Sequence, residues 1–271
     1  MANEETKLWD DVWNKNIESI EQVYLEIKNS LNNSIALQLL KTHILKRFNQ
    51  IDGLKVIEIG AGYGRTAAKL GLLGADITLL DNSLEAKKFA EELYKKLQIP
   101  LNYYTINLFN IPEDIQKKLF NKFDICISFG LNEHFDEDKR KEIWYIHQKF
   151  LKEKGLAIVE VPNANCILYR LWKFFAERFN AWEVGFEKPF TISEITKILG
   201  YKPEYFGWSF YGTINLYIFD KISRVIYNLI HYHSLRRGKN PEGKINLIGF
   251  KLKRSILDNY QSGSYVIFYN K

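Results

Sequence analysis

The sequence predicts an α/β protein with a doubly wound, mostly parallel sheet of seven strands. Two observations predict it. Between residues 54 and 161, short apolar runs alternate with amphipathic stretches of helix length, as strands do when crossover helices cover both faces of their sheet. A glycine-rich segment closes the first run at the mouth of the next helix, where an open α/β sheet receives its ligand. Composition agrees: 46% hydrophobic and 15% aromatic residues in a chain of 271 supply a real core, and 26% charged residues is ordinary for a folded protein.

Each element has its own signal. Leu8, Val12, Ile17, Ile20, Val23, Tyr24, Ile27 and Leu31 recur at helical spacing, and a second helical run goes from Ile35 to Phe48. Two or three helices are expected there, with a break near Asn32-Asn33. The strands are expected at Leu54–Ile59, Asp76–Leu80, Asn102–Ile106, Phe123–Ser128 and Leu156–Val161. The helices between them are expected at Tyr63–Leu73, Ser83–Leu97, Glu113–Phe120 and Asp136–Leu151. Ser83 suits an N-cap and Pro112 a first helical turn. Past the turn Pro162–Asn165, an aromatic-rich helix is expected over Ile167–Phe179, a capped one over Thr191–Leu199, and a strand over Tyr201–Tyr211. Residues 213–237 read as an amphipathic helix and Ser264–Tyr269 as the last strand. Residues 1–53 then form an N-terminal helical cap and 54–271 the sheet domain, with a helical insertion at about 213–260 before the last strand.

Charge and cysteine content narrow the classes. Ten basic and four acidic residues lie from Pro203 onward, so the whole net charge of +6 falls there. Two cysteines, Cys126 and Cys166, make neither a disulfide framework nor a four-cysteine zinc site, and fit a reducing, cytoplasmic setting. The start, Met1-Ala-Asn-Glu-Glu-Thr6, has no basic or apolar signal region, and no apolar run reaches eighteen residues. Neither a signal peptide nor a transmembrane segment is expected, and no nucleic-acid module is recognisable.

The most specific feature is Glu58-Ile-Gly60-Ala-Gly62-Tyr-Gly64-Arg65. Alternate glycines allow a sharp turn and close approach of a ligand to the main chain. The helix that follows offers unpaired N–H groups to an anionic group. Asp81, at the tip of the second strand, is placed to accept both hydroxyls of a ribose. A nucleoside-bearing cofactor is expected. A dinucleotide fingerprint read from Gly60 finds Arg65 at its third glycine, whereas reading from Gly62 gives Gly64 and Ala67, a permitted variant. Glu58, two residues before the first glycine, tips the choice: Glu-x-Gly-x-Gly-x-Gly resembles the first motif of class I S-adenosylmethionine-dependent methyltransferases.

Further motifs follow in the family's order from about Leu54 to Gly200. They are Asn-Glu133-His134 after the fourth strand, Gly155-Leu-Ala-Ile-Val-Glu160-Val-Pro-Asn163 at the fifth, and Phe190-Thr-Ile-Ser-Glu194 beyond it. The Glu-His pair resembles that of the branch with small-molecule and quinone O-methyltransferases. The resemblance implies a Rossmann-like fold, S-adenosyl-L-methionine as cofactor, and methyl transfer to an O or N nucleophile of a small metabolite, an anionic one included. It implies that Glu58, Gly60, Ala61, Gly62 and Gly64 hold the methionine part. It gives Asp81 and Asn82 the ribose, and Asn107 and Leu108, with Phe129, the remaining cofactor contacts. His134 is the candidate general base, or else a residue that orients a loop or caps a helix. Glu133, His134 and Asp136 invite a metal, yet neighbours in a chain point apart and position 130 is glycine, so no metal is expected. Trp9 and Trp13 suit a lid, and Trp182–Pro189 a border of the substrate. The insertion, with His231, His233, Arg236, Arg237 and Lys239, fits core packing, an anion subsite or a membrane or RNA surface. The competing classes are a nicotinamide-dependent oxidoreductase and a non-catalytic cofactor-binding domain.

Overall fold

The computed structural model describes residues 7, 9–11, 13, 18–179, 182, 185–208 and 263–271. The insertion from 213 to 260, with its histidines and basic cluster, lies outside them. Within them, one serine makes the expected break between the N-terminal helices. Ser34 is the C-cap of α1 (Ile20–Asn33) and the N-cap of α2 (Ile35–Phe48), its hydroxyl accepting from Leu37 N–H. At the other end of α1, Ser19 and Gln22 form a capping box.

From there strands and helices alternate: β1 (Lys55–Ile59), α3 (Arg65–Gly71), β2 (Asp76–Asp81), α4 (Leu84–Leu97), β3 (Leu101–Thr105), α5 (Glu113–Leu119) and β4 (Phe123–Phe129). A 3₁₀ turn (Asn132–His134) leads to α6 (Glu137–Phe150) and β5 (Leu151–Pro162). The chain continues through α7 (Ile167–Arg178), α8 (Ile192–Leu199), β6 (Glu204–Trp208) and β7 (Ser264–Asn270). Ser83, Asp136 and Thr191 cap α4, α6 and α8 through their side chains, and Gly200 ends α8 in the left-handed region. Pro112 stands one place before α5, at its N-cap, where its missing N–H costs nothing.

The seven strands lie in the order β3-β2-β1-β4-β5-β7-β6. The ladders β1·β2, β2·β3, β1·β4 and β4·β5 are parallel, with Ile59 opposite Leu80 and Phe129 opposite Glu160. The C-terminal strand is antiparallel, so the sheet is mixed. Between β1 and β4 the winding reverses, and the carboxyl ends there open a crevice. β5 starts earlier than its apolar run, because Leu151 already pairs with Phe123 while the ladder shifts register on the way to Ile125. Val56, Ile57, Ile59, Ile77, Leu79, Ile125, Ile127, Ile158 and Val159 are fully or almost fully buried, as a sheet covered on both faces requires.

The chain divides into two compact units. One holds residues 1–162, 183–205 and 266–271, and the other 163–182 and 206–265. In the second, Trp172 packs edge-on to Trp182 at 5.2 Å, and α7 exposes Ile167, Leu171, Phe174 and Phe175. Among the described residues no helix is long and apolar enough to cross a membrane.

Candidate active site

β1 ends in a loop whose three glycines all have positive φ: 59° at Gly60, 52° at Gly62 and 69° at Gly64. None of these positions has room for a side chain. A Cβ on Gly60 would lie 2.4 Å from Leu131, one on Gly62 would lie 2.3 Å from Trp13, and one on Gly64 would lie 2.5 Å from Leu79. A strand and a helix hold the loop: Tyr103 of β3 and Tyr94 of α4 donate their hydroxyls to the carbonyls of Gly62 and Gly64, at 2.9 and 2.8 Å.

Two buried carboxylates complete this frame. Glu58 accepts from Ala67 N–H at 2.9 Å, tying β1 to the first turn of α3, and burial pushes its pKa up to about 8. Asp81 accepts from Gly62 N–H at 2.8 Å through one oxygen and from Ser83 N–H at 2.9 Å through the other. Each Asp81 oxygen keeps acceptor capacity for a further donor. Burial raises its pKa, against the opposing pull of these backbone bonds.

Trp9, Asp10 and Trp13 lie against this loop and its neighbours. Trp13 meets the Tyr63 ring edge-on at 4.9 Å, Asp10 accepts from the Ser83 hydroxyl, and Trp9 packs edge-on to the His134 ring at 4.9 Å. These contacts fall after β1, β2 and β4, so Trp9, Asp10 and Trp13 lie at the carboxyl edge of the sheet. Arg65, the residue at odds with a dinucleotide fingerprint, is a tie to α1. It pairs with Glu18 and, at 2.8 Å, with Glu26, and donates to Tyr63.

Beyond β4 the 3₁₀ turn sets Glu133 and His134 on the same edge. A stretch from Phe186 to Phe190, here called the strap, runs alongside. Lys188 N–H donates to Glu133 C=O at 2.9 Å, and Phe190 N–H donates to Pro162 C=O at 2.9 Å. His134 Nδ1 lies 2.8 Å from the Phe186 carbonyl. A carbonyl can only accept, so Nδ1 carries the proton and the neutral ring keeps its lone pair on Nε2.

The strap is held by Arg140 of α6, which is 2% exposed. Its guanidinium donates to the carbonyls of Lys188 and Pro189 at 2.5 and 2.7 Å, binds Glu194 at 2.6 Å, and lies 3.3 Å over the Phe190 ring. The strap also brings in a third polar group. Donor atoms of Glu133, His134 and Glu187 all lie within 4.8 Å of one another, a set that can hold a metal ion. Glu133 and His134 do converge, because the 3₁₀ turn replaces an extended or α-helical path, and the third member is Glu187. Asp136 instead caps α6 through Lys139 N–H.

The other expected residues end where the strand order puts them. Asn82 follows β2, Asn107 and Leu108 follow β3, and Phe129 closes β4. Asn107 spends one acceptor position on Phe109 N–H at 2.8 Å. Sequence reasoning missed Leu131, Ser83 as Asp10's partner, Arg140 and Glu187. The strap's aromatic, loop-like text was the one signal pointing toward Glu187.

Residues 34–199 match a family model described as a methyltransferase domain. The ubiquinone biosynthesis O-methyltransferase of Rickettsia bellii (strain OSU 85-389) is 25% identical over 150 residues, covering 55% of this chain and 59% of that protein. The protein of the same name from Pelagibacter ubique is 24% identical over 180 residues, covering 61% of this chain and 71% of its own. The chain thus spans well under two thirds of the Rickettsia relative it matches. A SAM-dependent methyltransferase from Archaeoglobus fulgidus superposes with a TM-score of 0.51 at 16% identity, covering 92% of this chain and 99% of that one. At that identity it supports the fold alone.

Proposed function

Since the chain belongs to the methyltransferase-domain family, we propose that it transfers the methyl group of S-adenosyl-L-methionine to an oxygen or nitrogen of a small molecule. The observation that carries this reading is the glycine loop. It is free of side chains at Gly60 and Gly62, is bonded to Asp81 and is overlaid by Trp13. The loop backbone from Gly60 to Gly64 would hold the methionine part of the cofactor, with Glu58 fixing the loop from behind. Asp81 and Asn82 would hold the ribose, and Asn107, Leu108 and Phe129 the base. When bound, the cofactor supplies a methyl group on a positively charged sulfur, an electrophile that needs no activation by the protein.

The chain's own residues then have two tasks. They align the acceptor and shed water, which Trp9 and Trp13 support by covering the edge of the sheet. They also take the proton that an acceptor O–H or N–H loses, for which Nε2 of His134 is the base. Glu133, His134 and Glu187 would fit a divalent cation, and the transfer outlined here uses His134 without one. The chain's only two cysteines, Cys126 and Cys166, both buried, support a cytoplasmic location.

The test is transfer of tritium from methyl-labelled cofactor to pooled small metabolites by wild type and His134→Ala. Loss of at least a hundredfold in turnover, with cofactor affinity within twofold of wild type, is the expected result. Unchanged turnover removes His134 as the base, and label transfer to none of the pools counts against an active methyltransferase.

A further inference from the structure

We infer that the acceptor side of this site takes a cation, and that the methyl acceptor is an amine that arrives protonated between Glu133, Glu187 and Glu160, beside His134. This rests on the methyltransferase reading and narrows its acceptor from oxygen or nitrogen to nitrogen.

Glu133 is the first observation. It is 3% exposed, and its Oε2 has no hydrogen-bond partner among the described residues. A buried carboxylate oxygen left unpaired is costly unless a ligand completes it. The second is the company it keeps: Glu187 and His134 have donor atoms within 4.8 Å of it and of each other, and Glu160, two residues before the end of β5, lies opposite Phe129. The carboxyls of Glu187 and Glu160 lie near enough to act on Glu133 electrostatically, and so does Arg140, whose donors are engaged by Glu194, Lys188 C=O and Pro189 C=O. Three acids gathered this way gain from a cation and repel a carboxylate or phosphate whenever they ionise, contrary to the anionic substrate that the basic C-terminal composition suggested.

An ammonium group fits it. It brings one positive charge and three N–H donors to carboxylate oxygens, and the Trp9 ring beside His134 is a further partner for an organic cation. A neutral alcohol or phenol has a single donor and no charge to compensate the cluster. The chemistry balances. The ammonium gives one proton to His134 Nε2 or to a carboxylate. The freed nitrogen lone pair forms the new N–C bond as the C–S bond breaks with its electron pair left on sulfur. The products are a methylated ammonium and a neutral thioether, and the proton passes to solvent from half-buried His134.

Binding tests this apart from turnover. Calorimetry on the full chain, with and without S-adenosylhomocysteine, would compare phenethylamine, 2-phenylethanol and 3-phenylpropionate, then butylamine, butanol and butyrate. The amine of each series should bind at least tenfold more tightly than its alcohol and its acid. Glu187→Gln should abolish that gap while its affinity for S-adenosylhomocysteine stays within twofold of wild type, which also shows that the variant is folded. Equal or better binding of the alcohols or acids overturns the inference. So does absence of amine binding by a protein that binds S-adenosylhomocysteine, and so does magnesium chloride binding at micromolar concentration and excluding the amines. Wild type that does not bind S-adenosylhomocysteine sinks the methyltransferase reading itself.

Discussion

His147 shows how burial fixes a protonation state in this chain. Its Nδ1 donates to Ile143 C=O at 2.7 Å, so Nε2 accepts from the Ser128 hydroxyl at 2.8 Å. Burial holds its pKa down at about 4. The sign follows from linkage: the folded imidazole stays neutral while the unfolded one protonates near 6.5. Stability from this group is therefore complete above pH 6.5 and is lost as pH falls toward 4, by up to about 3 kcal/mol. In an NMR titration the His147 Cε1–H shift should stay flat from pH 8 to pH 5. A midpoint near 6.5 would contradict the buried pair. The pairing with Ser128 also anchors β4 just before the turn that carries Glu133 and His134. None of this is legible from a histidine on an amphipathic stretch, because its partner lies nineteen positions away. Glu58 and Asp81 were legible, because strand-end acids beside a glycine loop have few other uses.

The strap is the element on which the acceptor side depends, and Arg140 holds it. Arg140→Met should lower stability by about 3 kcal/mol, since it strands Glu194 and two carbonyls. Glu194 is a third exposed, which keeps the figure at the low end for a buried pair. Urea denaturation would measure it, and a loss below about 0.5 kcal/mol would mean that the strap is held by other contacts. Arg140 fell on a stretch read simply as a helix, and nothing local marks an arginine as buried. Most other elements were legible for a physical reason: capping is local chemistry, so Ser83, Asp136, Thr191 and Gly200 announce their helix ends. The exception was the start of β5, where pairing with Phe123 extends a strand through Lys152, Glu153 and Lys154, which carry no apolar signal.

At the scale of the whole molecule, alternating apolar runs dictated a parallel sheet, and the order β3-β2-β1-β4-β5 puts the reversal of winding beside the glycine loop. That much follows from pattern alone, because burial on both faces leaves a continuous mark in the sequence. Charge did not carry over in the same way. The net +6 lies from Pro203 onward, whereas the acceptor side gathers Glu133, Glu160 and Glu187 from three separate segments, a pairing that only folding creates. The central claim is that the loop from Gly60 to Gly64, with Asp81, binds a sulfur nucleoside. Calorimetric titration of wild type and Gly62→Val with S-adenosylhomocysteine and with NADH tests it most directly. Wild type should bind S-adenosylhomocysteine with micromolar affinity, Gly62→Val at least a hundredfold more weakly, and NADH should not bind. Binding of NADH in preference to S-adenosylhomocysteine would contradict it.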